Sequence, residues 1–510
     1  MPARSFVPQD TWIPRHQSFT QQIEGYYDFD AYGPNAGVAD YKQVSGECQA
    51  IIAEAVQAHK TLRAMGSSWS LSKVGVAEHR LINTKNLRLS LAVADGFAAP
   101  GYAGVRENLR FFECGYSIAE INRELAGEGL SLQASGSNNG QTLPGVVSTN
   151  THGSAFKFGA TPENVVGIHL ITGPSQQVYL ERASYPVVTE SFAQEKLGAD
   201  LVRDDAKFNA ALVSFGSFGI IRGMMIETRK LFLLHGFRSF RQFNPALKKA
   251  ISALDFSDLD LHNKSAADLY HFQVTFNPNE GTPPNEAAVY LMFEIPWTDN
   301  YTPPDFSEDE AGPGAAGMEV MGELFTRLPN FLGNALKGWI NPQVRNVLKP
   351  YEIKGAIKDI FRGEKTQGRT FASGIGLPLS RTLEALDIAF QAYANFGTVF
   401  PVLVTIRFVK GTKALLGFTK FDPTCVMEID AINTDTTHQF ATQVWTGIEQ
   451  AGIPFTMHWG KFNSFLTRSR LDSMYGDNVN KWIASREALL TPEVRQVFTN
   501  DFLRGVGLNT

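Results

Sequence analysis

Apolar positions along this chain recur in two rhythms, one helical and one alternating, and the change between them divides it. Ile51, Ile52, Ala55 and Val56 recur at helical spacing and predict a helix over 47–59. A short strand over 61–65 follows and ends in the small-residue loop Gly66, Ser67, Ser68. Ser117 and Glu120 form a capping-box pattern ahead of Ile118, Ile121 and Leu125, with Gly127 as the stop. A loop over 134–140 comes next, then the polar run 145–154, then strand-like stretches over 165–171 and 218–221. Helices and strands joined by glycine-rich connections predict an α+β or α/β unit ending near residue 228.

From about residue 231 the rhythm changes. Long alternating stretches over 270–276 and 289–295 predict an antiparallel sheet, and amphipathic helices are expected over 380–395 (Leu383, Leu386, Phe390, Tyr393) and 437–451 (Phe440, Val444, Ile448). Residues 302–317 are rich in Pro, Gly and acids and read as a loop. Residues 318–362 read as mostly helical, broken at Pro342 and Pro350. The apolar positions of that segment (Phe331, Leu332, Leu336, Trp339, Ile340) either cap a cleft, form a subunit contact or belong to ordinary core. The expected division is 1–228, 229–484 and a closing segment 485–510 that returns to the first unit, an α+β chain overall.

Two further strands bring polar residues to one face. Over 401–409, Val402, Val404, Ile406 and Phe408 share one side while Thr405 and Arg407 share the other. Over 425–430, Cys425, Met427 and Ile429 oppose Glu428 and Asp430. If each strand buries its apolar side, the polar sets either converge on a cleft or lie in solvent.

Composition narrows the classes. The chain has 510 residues, too many for one core; 43% are hydrophobic, 19% charged, and the net charge is −5. That balance lacks the basic stripe of a nucleic-acid binder. No run is long enough to span a bilayer, and the N-terminus lacks the apolar region of a signal peptide. Cys48, Cys114 and Cys425 are far apart, without metal-ligand spacing or a disulfide framework, which fits a reducing, cytoplasmic setting. No metal site is expected from the histidines.

Gly145 to Ser154 is the most informative run. After two valines it is entirely small, hydroxylated or imidazole-bearing, a composition that cannot build a core but lets backbone lie against a polar ligand. Arg63 to Ser70 upstream is similar, and His458-Trp-Gly-Lys461 lies downstream. A nicotinamide site would need Gly-x-Gly-x-x-Gly between a strand and a helix, which the chain lacks in that context.

In that order, these three segments resemble the flavin-linked oxidases of the vanillyl-alcohol oxidase superfamily, with a PCMH-type FAD-binding domain and an antiparallel-sheet substrate domain; the branch they look most like is the aldonolactone and alditol oxidases. That family's first FAD loop reads roughly Arg-x-x-Gly-x-x-His-Ser, its second contains Thr-His-Gly, and His-Trp-x-Lys lies near its C-terminus. The resemblance runs from about residue 40 to the end and is weakest over 300–365. It implies FAD as cofactor, held by Gly66, Ser67, Ser68, Trp69 and Ser70, by Ser135, Gly136 and Asn139, by Gly145, Ser148, Thr149, Thr151, His152, Gly153 and Ser154, and by Gly219, Ile220 and Ile221. It implies a catalytic set of Arg407, Lys461, Glu428, Thr405 and His458, with Lys461 or Glu428 as base.

Two positions depart from the family. Trp69 stands where relatives usually carry the histidine bonded to the flavin, and 134–154 has no cysteine for a second link, so the cofactor is expected to be non-covalent. Trp69 itself either packs at the flavin edge or fills core. Relatives have Glu-x-Arg on the first polar strand, and here Thr405 precedes Arg407, which puts an ordinary aldonolactone or alditol substrate in doubt. The expected partners are a small-molecule substrate, a carbohydrate, polyol or sugar lactone, and oxygen or another electron acceptor. The alternatives are a less polar alcohol, amine or phenol as substrate, or a flavin binder without turnover.

Overall fold

The computed structural model describes residues 2–305, 336–363, 368–397 and 399–509. In chain order its strands are β1 (Arg4–Pro8), β2 (Thr11–Trp12), β3 (Gln21–Gln22), β4 (Gly25–Phe29), β5 (Leu62–Met65), β6 (Arg80–Asn83), β7 (Ser90–Ala92), β8 (Leu109–Glu113), β9 (Leu130–Ser131), β10 (Val165–Ile171) and β11 (Gln177–Glu181). They continue as β12 (Asp200–Arg203), β13 (Ile220–Glu227), β14 (Arg229–Lys230), β15 (Phe232–Gln242), β16 (Leu269–Phe276), β17 (Glu286–Pro296), β18 (Tyr351–Gly355), β19 (Thr370–Pro378), β20 (Val402–Val409), β21 (Thr424–Ile432) and β22 (Thr456–Met457).

Three sheets carry the architecture. The first, in order β1-β4-β6-β5, is parallel at β4, β6 and β5. The second, β12-β11-β10-β13-β8-β7, is antiparallel except at its β11–β12 edge. The third is an eight-stranded antiparallel sheet, β18-β15-β17-β16-β20-β21-β19-β22. Helix Val38–Gln57 buries Val44, Cys48, Ile51, Ile52 and Ala55 in a cluster that also holds β4, β5 and β6 residues and Leu490, Val494, Val497 and Phe498 from the C-terminus. The chain end thus packs on the first sheet because its apolar side chains complete that core.

The large sheet is buried on both faces. Helices Thr382–Phe396 and Asp435–Gln450 lay Leu386, Phe390, Phe440 and Val444 on the side that holds Val402, Val404, Ile406 and Phe408. The opposite side carries the polar set, so Glu428 and Asp430 are buried rather than solvated.

Several elements differ from the sequence reading. The first helix starts nine residues earlier than expected, at Val38. The run 145–154 is not wholly a loop: Leu143–Ser148 is a short helix, with Pro144 in its first turn where a fixed φ and missing N–H cost nothing. The capping box holds as read, with Ser117 Oγ accepting from Glu120 N at 3.2 Å and Glu120 Oε2 from Ser117 N at 2.8 Å. In the segment read as helical, helix Leu336–Val347 continues through Pro342, which is exposed. Beyond Pro350 the chain is an edge strand, β18, whose residues alternate in burial as they pair with β15. Ile340 is buried with Val344, Leu348 and Tyr290 as ordinary core. Phe331 and Leu332, and the loop residues beyond 305, lie outside the described residues, as do the side chains of Leu336 and Trp339.

Candidate active site

A cleft of about 1450 Å3, including its open mouth, runs between the first two sheets and the polar side of the third. Its wall is made of three backbone segments. Residues 63–72 leave β5 and turn at Ser68, whose φ of 60° is left-handed. Residues 141–152 run from the short helix into the loop that carries His152. Phe215, Gly216, Gly219 and Ile221 close the far end. Gly66 is required by its neighbour: a Cβ there would lie 1.9 Å from Thr142 Oγ1, so the two loops touch only without a side chain.

The sheet supplies the charged end. Thr275, Thr405, Glu428 and Gly374 form one row across β16, β20, β21 and β19. Glu428, fully buried, accepts a hydrogen bond from Lys461 Nζ through Oε1 and lies 3.1 Å from Arg407 Nε through Oε2. Two cations thus flank one buried carboxylate, each against a different oxygen. Lys461 reaches it from the turn after His458. That turn is fixed by Gly460 N donating to His458 Nδ1 at 3.0 Å and His458 N donating to Gly374 O at 2.8 Å. The same turn is tied to the 66–72 loop by Leu71 N to Gly460 O at 2.8 Å and Ser72 Oγ to Trp459 O at 2.6 Å.

Two imidazoles complete the cluster. His152 Nε2 lies 3.5 Å from Glu428 Oε1, and its ring centre is 5.8 Å from that of His458. Burial pushes the His152 pKa well down, with Arg407 and Lys461 adding to it; burial, His152 and Arg407 do the same to His458. Both rings are therefore neutral, and the His152–Glu428 approach is not an ion pair. Since His458 Nδ1 accepts from Gly460, its proton sits on Nε2.

The sequence candidates separate in three dimensions. Gly66, Ser67, Ser68, Trp69, Ser70, Gly145, Ser148, Thr149, Thr151, His152, Gly219 and Ile221 line the cleft, as do Arg407, Glu428, His458 and Lys461. Ser135, Gly136, Asn139, Gly153, Ser154 and Ile220 do not; they hold the wall together from behind. A Cβ on Gly153 would lie 2.3 Å from Ser135 O, and one on Gly136 3.3 Å from His152 O. Ser154 Oγ donates to Phe272 O and accepts from Phe408 N at 3.1 Å, joining the loop to β16 and β20. Asn139 bonds Ser135 Oγ and Phe361 O, and Ile220 packs into the first-sheet core. Thr405 is also set aside: its hydroxyl lies 3.3 Å from that of Thr275.

Sequence reasoning missed Trp12 and Phe19, which line the cleft from the N-terminal segment and carry no motif. It also passed over Arg63, although Arg63 opens the first loop motif. That guanidinium is buried, donates to Gly216 O at 2.6 Å and Phe498 O at 3.0 Å, and leaves Nε and Nη2 without a hydrogen-bond partner among the described residues. Burial lowers its pKa to about 9, helped by Arg486, so it remains a cation at neutral pH.

The donor set suits a flavin dinucleotide. The wall is small and rich in N–H and O–H donors, and buried donors at Arg63 and Trp69 Nε1 have no acceptor among the described residues. An acceptor-rich, elongated ligand meets both conditions.

No family model matches the chain. It is 26% identical over 203 residues to D-arabinono-1,4-lactone oxidase of Yarrowia lipolytica, covering 40% of this chain and 34% of that protein. It is 24% identical over 208 residues to L-gulono-1,4-lactone dehydrogenase of Mycobacterium tuberculosis, covering 41% of each. The matches thus span about a third to two-fifths of these relatives' own length. Among solved structures, a variant of cholesterol oxidase from Brevibacterium sterolicum superposes with a TM-score of 0.67 at 12% identity, over 99% of this chain and 97% of that one. A solvent-stable cholesterol oxidase gives 0.66 at 13% identity, over 99% and 98%. These structures establish the α+β fold of the whole chain, and the lactone-oxidising relatives supply the sequence likeness. Over that shared stretch the chain is similar in sequence to the aldonolactone oxidases, and over its length it shares the fold of the cholesterol oxidases.

Proposed function

We propose that the protein is an FAD-dependent oxidoreductase that oxidises an alcohol carbon of a carbohydrate, polyol or sugar lactone. The observation that carries this reading is Glu428 held between Arg407 and Lys461 on a sheet face that opens into the same cleft as the 63–72 and 141–152 loops. A flavin bound along those loops would supply two-electron oxidation by accepting hydride and would pass the electrons to oxygen or another acceptor.

This chain's own residues supply the rest. The substrate-binding unit is taken as 229–484, facing an FAD-binding unit 1–228 to which 485–510 returns. Residues 66–70, the cleft-lining members of 145–152, Gly219 and Ile221 would hold the cofactor without a covalent bond, since Trp69 cannot form a histidyl link. Glu428 accepts the hydroxyl proton at a carboxylate oxygen as hydride leaves the carbon. Arg407, against the other oxygen, keeps that carboxylate oriented and places positive charge where negative charge develops. Lys461, less buried than Glu428, donates to it, and by giving one of its own protons to solvent it becomes the amine that takes up the proton Glu428 has gained. Neutral His152 and His458 close the cluster against water and fix the turn that carries Lys461. A cluster so complete and so buried does not suit a flavin binder without turnover, and its polarity favours a hydroxyl-rich substrate over an apolar one. The three free, buried cysteines accord with a reducing, cytoplasmic setting. No described helix is long and apolar enough to cross a membrane.

The test is anaerobic addition of aldonolactones and alditols to the purified, flavin-loaded protein, followed by loss of flavin absorbance. Bleaching by these and not by apolar alcohols is the expected result. Bleaching by apolar alcohols alone overturns the substrate class, and bleaching by neither overturns the activity.

A further inference from the structure

Residues 9–22 fold back as a small hairpin in which β2 and β3 pair Thr11 with Gln22 and Trp12 with Gln21. Its tip turns at Gln17, with φ of 50° and its N–H donated to Pro14 O at 2.9 Å. That tip is pressed onto Trp69. Arg15 N donates to Ser68 O at 3.0 Å, the Arg15 guanidinium lies 4.8 Å from the Trp69 ring centre, and the His16 ring meets the indole edge-on at 5.5 Å. His16 is fully buried, and its Nδ1 lies 3.3 Å from Thr370 Oγ1 on β19. The hairpin therefore touches both walls of the cleft, the 66–70 loop and the large sheet. Its two stems place Trp12 and Phe19, 5.8 Å apart, in the cleft lining.

We propose that this hairpin is a non-covalent clamp on the cofactor: Arg15 and His16 fix the Trp69 indole from behind, while Trp12 and Phe19 close the cleft on a planar aromatic ligand. The proposal rests on the FAD reading above and extends it to residues of the N-terminal segment. Aromatic side chains with only two torsions lose little entropy on holding a flat ligand. A cation over one face of an indole and a ring at its edge fix its orientation in the cleft wall. Trp69 Nε1, buried and without a partner among the described residues, is left as a donor toward a ligand acceptor. With no histidine at position 69, retention of the cofactor rests on non-covalent contacts, and this hairpin is placed to add to those of the cleft wall.

The experiment measures flavin release from the flavin-loaded full chain into excess apoflavodoxin as acceptor. Trp12→Ala, Phe19→Ala and Arg15→Ala are expected to speed release about tenfold or more, equivalent to 1.4 kcal/mol or more, with Arg15→Lys near the parent. Folded variants that release flavin at the parental rate overturn the clamp. On the unmodified protein, hydrogen exchange over 11–22 is expected to slow when flavin is bound. Equal exchange with and without flavin overturns the proposal even if the variants fail to fold. A parent protein that binds no flavin at all brings down the FAD reading, a result distinct from either of these.

Discussion

Thr405 and Glu428 stand directly opposite each other in the antiparallel β20–β21 ladder, with their side chains on the same face of the sheet. The carboxylate that relatives are expected to carry two residues before the arginine is thus present here on the neighbouring strand, still against Arg407. A direct cross-strand pair has Cβ atoms about 4.5–5.5 Å apart, so the charge is displaced by about one strand spacing toward β19 and Lys461.

This relationship predicts a rescue. Glu428→Thr leaves Arg407 and Lys461 without their shared anion and is expected to lower the rate of flavin reduction by about 10²–10³ and to lower thermal stability. The double variant Thr405→Glu/Glu428→Thr is expected to recover a substantial part of both. Anaerobic stopped-flow reduction with thermal melts checks this, and a double variant no better than Glu428→Thr refutes the cross-strand exchange.

Lys461→Ala and Arg407→Ala are expected to lose about 10²–10³ in turnover while keeping bound flavin, because both sit on the sheet side of the cleft. Absorbance after gel filtration reports the flavin, and turnover at the parental rate would remove that residue from the mechanism.

Acid precipitation should release FAD into the supernatant. Trp69 has no nucleophile for a flavin methyl group, and no cysteine lies in 134–154. Flavin that stays with the washed pellet contradicts the non-covalent reading.

Gly153→Val should destabilise the fold rather than act on cofactor contacts alone. The added Cβ meets Ser135 O at 2.3 Å, behind the cleft wall, and overpacking of this kind typically costs about 1–3 kcal/mol or more. Thermal melts of the flavin-free protein distinguish the cases: an unchanged melting temperature with lost flavin would place Gly153 in the lining after all.

Stability should fall as pH drops from 6.5. Burial, helped by Arg15, lowers the His16 pKa to about 4; burial, with Arg222 beside His169 and Arg407 beside His271, lowers those two to about 3. A histidine whose folded pKa is depressed binds its proton more readily when unfolded, so the unfolded state takes up protons first between pH 6.5 and 4 and gains free energy relative to the native state. Melting temperatures constant over pH 8 to 7 and falling steadily below 6.5 are expected. A flat profile to pH 4.5 would show that these imidazoles are not buried neutral.

The sequence by itself determined the polar strand faces, the capping box at Ser117, the small-residue loops and the Lys461 turn, because each is a local matter of side-chain period, cap chemistry or steric bulk. Arg407 and Glu428 were legible for the same reason: alternation in a strand fixes which side chains share a face. Only the tertiary structure decided which members of the loops face the ligand. Gly153 and Gly66 are alike as sequence, yet one packs on Ser135 and the other on Thr142 at the cleft. It alone set Thr405 against Glu428, since register between strands depends on how the whole sheet is covered. It alone brought Trp12, Arg15, His16 and Phe19 to Trp69, a meeting of segments some fifty residues apart that no local pattern encodes.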